Sequence, residues 1–89
     1  MTYFVELRNL KFQNPPGRGL RLPESANVFV NKCKKHYSFD SVVERACEII
    51  GMYNGNMVTS CDVHHIKPIE KAIAPDGIQS YGYSESQEK

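Results

Sequence analysis

Two short strings in this sequence place a thiol and an imidazole at the same interval. Cys33-Lys-Lys-His36 and Cys61-Asp-Val-His64 share a Cys-x2-His spacing, and together they offer the two thiolates and two imidazoles that tetrahedral Zn²⁺ accepts. Residues three apart on an extended strand point to opposite faces, so Cys61 and His64 would not easily grip one ion, whereas Cys61 and His65 would share a face. Structural zinc pairs usually sit on tight turns, and neither pair here is flanked by Gly-rich knuckle chemistry. The expectation is buried free cysteines and surface histidines, with Cys33, His36, Cys61 and His64 as the candidates should a metal bind.

Asp62-Val-His-His-Ile-Lys-Pro68 is the most specific short string, and it resembles the first motif of HNH endonucleases, where a strand ends in a His-His or Asp-His pair followed by Ile-x-Pro. The resemblance implies His65 as the general base that activates water and His64 as a metal ligand. That family continues with an asparagine and a helix bearing a further metal-binding histidine, yet neither residue type follows His65 in this chain. The match therefore stops at seven residues, and an active nuclease is not the leading expectation. A fainter resemblance, of Gly19-Leu20 and Val28 to Lys32 to phosphocarrier proteins, lacks the histidine that would take the phosphoryl group. No P-loop, dinucleotide fingerprint or nucleophile elbow occurs, so no cofactor is expected.

Charge points to a partner instead. Residues 1 to 37 carry seven basic and two acidic side chains, a balance of +5, while residues 38 to 89 carry four basic and eight acidic ones, a balance of −4. Lys32, Lys34, Lys35 and His36 form the densest basic cluster, with Phe29 and Tyr37 interleaved as stacking surfaces and Arg18 and Arg21 in the preceding loop. Such a patch suits nucleic acid, because each neutralised phosphate releases a condensed counterion. The overall isoelectric point near 7.7 is low for a dedicated nucleic-acid domain. Asp40, Glu44 and Glu48 on the clearest helix would repel a phosphate backbone, which favours a protein partner over nucleic acid.

These residues need elements to hold them. Tyr3 to Arg8 alternates as a half-buried strand does. Gln13-Asn-Pro-Pro-Gly-Arg-Gly19 must then be a loop, since prolines remove donors and glycines permit positive φ. Ala26 to Tyr37 fits both a strand and a helix, the β-branched cluster at Val28 to Val30 tilting it to strand. Phe39, Val42, Val43, Ala46 and Ile50 form a helical stripe capped by Ser38. Met57 to Ile66 reads as a strand ended by Pro68, and Pro75-Asp-Gly77 as a turn.

The expected architecture is α+β: a small antiparallel three-stranded sheet in ββαβ order with one helix packed on it, a single domain over residues 1 to 79 and a flexible tail over 80 to 89. Three cysteines at irregular spacing fit reduced thiols. With no run of about 18 apolar residues and no secretory leader at Met1 to Glu6, a cytoplasmic protein without membrane partners is expected. The expected function is a small non-enzymatic binding or regulatory protein acting on another protein. Such domains are often phage-encoded accessory proteins that inhibit a host defence or nucleic-acid-processing machine.

Overall fold

A computed structural model describes residues 2–18, 21–31, 39–69 and 76–83 of the chain. Five elements follow in order: β1 (Thr2–Phe12), β2 (Ser25–Asn31), α1 (Phe39–Asn54), β3 (Val58–Ile69) and β4 (Gly77–Gly82). The strands form one antiparallel sheet in the order β3-β1-β2-β4, and α1 packs on one of its faces. This is the α+β class with a helix on an antiparallel sheet, and it adds a fourth strand to the three expected.

Alternation builds the core. Tyr3, Val5 and Leu7 of β1 and Ala26, Val28 and Val30 of β2 are buried, and they meet Val42, Ala46, Ile49 and Ile50 of α1. Ala26 to Asn31 is thus strand, while residues 32 to 38, including the Ser38 cap, lie outside the described residues. Phe39 departs from its expected place in the stripe, standing 58% exposed with its ring edge-on to Tyr3 at 6.2 Å. A 16-residue helix is about 24 Å long, so its terminal apolar residues reach past the buried quartet.

Two departures from strict alternation and one tolerated proline carry most of the difference between the expected strands and the observed ones. β1 does not stop at Arg8: Asn9 adopts a left-handed φ of 54° between Arg8 and Lys11, where the pairing with β3 shifts register. Asparagine tolerates that conformation, its side chain donates to Asp62 at 2.7 Å, and the extra residue returns Leu10 to the core. Pro68 does not end β3 but pairs with Tyr3 inside it. β3 is an edge strand, where a donor missing on the outer side leaves no ladder bond unmade.

The fourth strand was hidden by a bulge. In β4, Ile78 pairs with Val28 and Tyr81 with Ala26, and Gln79 is the extra residue between them. Ile78 and Tyr81 both pack against the core, though three apart. The chain expected to be a tail from Ser80 is therefore strand to Gly82, and residues 84 to 89 lie outside the described residues.

Candidate functional site

α1 ends in a Schellman cap that shapes what lies beside it. Gly55 takes φ 62°, and the Asn56 N–H donates to the Gly51 carbonyl at 3.1 Å. The Asn56 side chain then grips the loop after β1 twice, accepting from the Asn14 N–H at 3.0 Å and donating to the Asn14 carbonyl at 2.8 Å. The Gln13 N–H donates to the Met57 carbonyl at 2.8 Å alongside. These bonds close one end of an open groove of about 830 Å³ between α1 and the start of β3. Val43, Cys47, Gly51 and Val58 line it, Met52 and Met57 stand on it 65% and 62% exposed, and Glu44 and Glu48 are acidic members of its wall.

Inside that wall the two described cysteines meet. Cys47 Sγ of α1 and Cys61 Sγ of β3 lie 3.7 Å apart, both half-buried. Burial, and then the neighbouring Cys61, push the Cys47 thiol up to about 12, so it stays protonated. Spacing gave no hint of this pairing, because one residue is on a helix and the other on a strand.

The other flank of α1 is tied down by polar bonds. Asn54 donates to the Ile50 carbonyl at 2.8 Å and to the Tyr81 hydroxyl at 3.1 Å, and burial raises the Tyr81 pKa. Arg45 reaches Asp76 at 3.0 Å and Glu48 at 3.0 Å, and Asp76 also accepts from the Asn31 N–H at 2.6 Å.

The histidine pair lies on the sheet face away from α1. His65 pairs with Glu6 and Val63 with Leu7, so His64 is the unpaired residue of a bulge. His64 Nε2 stands 3.9 Å from Glu6 Oε1, and both histidines are exposed. This corrects the expected sharing of a face by Cys61 and His65: the bulge reverses parity, leaving Cys61 under α1 and His65 beside Glu6. Cys61 and His64 also face apart, as an extended strand requires.

The remaining candidates are dispersed. Asp40, Glu44 and Glu48 are exposed on α1, Arg18 is exposed in the β1–β2 loop, and Arg21 lies over the Tyr83 ring at 4.9 Å. Lys32, Cys33, Lys34, Lys35 and His36 lie outside the described residues. Among the described residues no three His, Cys, Asp or Glu side chains converge as a metal site, and no helix is long and apolar enough to cross a membrane. Comparison with protein-family models, characterised proteins and solved structures returns no match, so the geometry of the groove carries the functional argument.

Proposed function

We propose that this chain is a non-enzymatic binding protein that takes an apolar, basic segment of another protein into the groove between α1 and β3. The observation that carries the reading is the exposure of Met52 and Met57 along a groove walled by Glu44 and Glu48. Methionine is flexible and polarisable, which suits it to shape itself around a partner's side chain. Glu44 selects a cationic segment and repels an acidic one, and Glu48, already paired with Arg45 at 3.0 Å, adds to the same acidic wall. An inhibitor of a host machine would act in this way by occupying the segment that the machine itself needs.

The test uses the ε-methyl resonances of the chain's three methionines, Met1, Met52 and Met57, titrated with a synthetic Leu/Lys amphipathic peptide. Met52 and Met57 are expected to shift, and the joint change Glu44→Lys with Glu48→Lys should weaken binding about tenfold, roughly 1.4 kcal/mol. Equal binding of a Leu/Glu peptide would refute the reading. A second reading, a metal-dependent nuclease remnant, draws on the bulge that gathers His64 and His65 beside Glu6. Plasmid nicking with Mg²⁺, Mn²⁺ or Zn²⁺ that disappears in His65→Ala would support it.

A further inference from the structure

A disulfide needs two sulfurs that can approach to about 2.05 Å without moving the backbone. Cys47 and Cys61 are already in van der Waals contact at 3.7 Å, on two elements held together by the core beneath them. Helix and strand thus hold the two sulfurs against each other. We propose that Cys47 and Cys61 are a redox modification site, forming a reversible intramolecular disulfide that staples α1 to β3.

With glutathione disulfide as oxidant, the Cys61 thiolate attacks one glutathione sulfur, forming a mixed disulfide and releasing one glutathione thiolate. Cys47 then gives its proton to that thiolate, attacks the Cys61 sulfur and displaces the second glutathione, which takes up the proton Cys61 had lost. Two protein thiols are oxidised and one glutathione disulfide is reduced to two thiols. The residues lie 14 apart, so the bridge closes a short loop containing the end of α1, the cap and the first residues of β3.

The natural chain and Cys33→Ser, which lacks the third thiol, are incubated folded with glutathione disulfide, alkylated, digested and analysed by mass spectrometry. The expected product is a peptide joining Cys47 to Cys61 in both chains, with Tm raised by about 10 °C and restored by dithiothreitol. Cys47→Ser should stop at the mixed disulfide on Cys61. Glutathione adducts that persist on the natural chain, thiols that stay unmodified, or a Cys47–Cys61 link that appears in denaturant alone would each overturn the proposal.

Discussion

The two flanks of α1 are built on different principles. Toward β4 the helix is fastened by directional bonds, Asn54 to Tyr81 and Arg45 to Asp76, which fix its position. Toward β3 it meets an edge strand with three register irregularities, and the space between them holds a contacting thiol pair and exposed methionines. Directional bonds specify one geometry, whereas apolar contacts tolerate several. The fastened flank thus holds the helix in register, and in the proposed function the adaptable flank is the one that accepts a partner.

Removing the support common to both flanks has the largest expected effect. Ile50 is fully buried at the helix–sheet interface, and Ile50→Ala should cost about 2–5 kcal/mol by urea unfolding while loosening both sides. Alkaline pH should act next, mainly on the β3 flank. The folded Cys47 pKa lies above its unfolded value of 9.0, so its contribution is complete below pH 9.0 and is lost as pH rises toward about 12. Stability measured across that window should fall less steeply in Cys47→Ser.

Smaller changes separate the flanks further. Gly55→Ala forces a β-carbon into a positive φ at the groove's end and should cost about 1 kcal/mol. Tyr81→Phe deletes the hydroxyl that accepts from Asn54 on the fastened flank and should cost about 1 kcal/mol or less, with no effect on peptide binding. Met52→Ser should leave stability within about 0.5 kcal/mol yet reduce peptide affinity. A Met52→Ser chain that binds peptide as before would remove the adaptable flank from the functional account.

Much of this division was unreadable in advance for identifiable reasons. Val42, Ala46 and Ile50 sit where helical spacing puts them, and Val5 and Leu7 where alternation does, because each pattern reports its own backbone's period. Tyr81 reads as a tail residue because the bulge at Gln79 breaks the period locally, and Pro68 reads as a strand end because edge position is a property of the whole sheet. The acidic residues of the groove wall, Glu44 and Glu48, were legible as a charged helix face. Met52 and Met57 carry no functional signal in the sequence, since a lone methionine says nothing until its surroundings are known.

Local period and residue chemistry were enough to determine an α+β chain with a central amphipathic helix and a turn-rich loop after the first strand. Which strands lie at the edges, which face each histidine takes, and that Cys47 touches Cys61 were decided only by the tertiary structure. Those outcomes depend on register between segments far apart in the chain, and a single extra residue in either strand reverses every side chain beyond it.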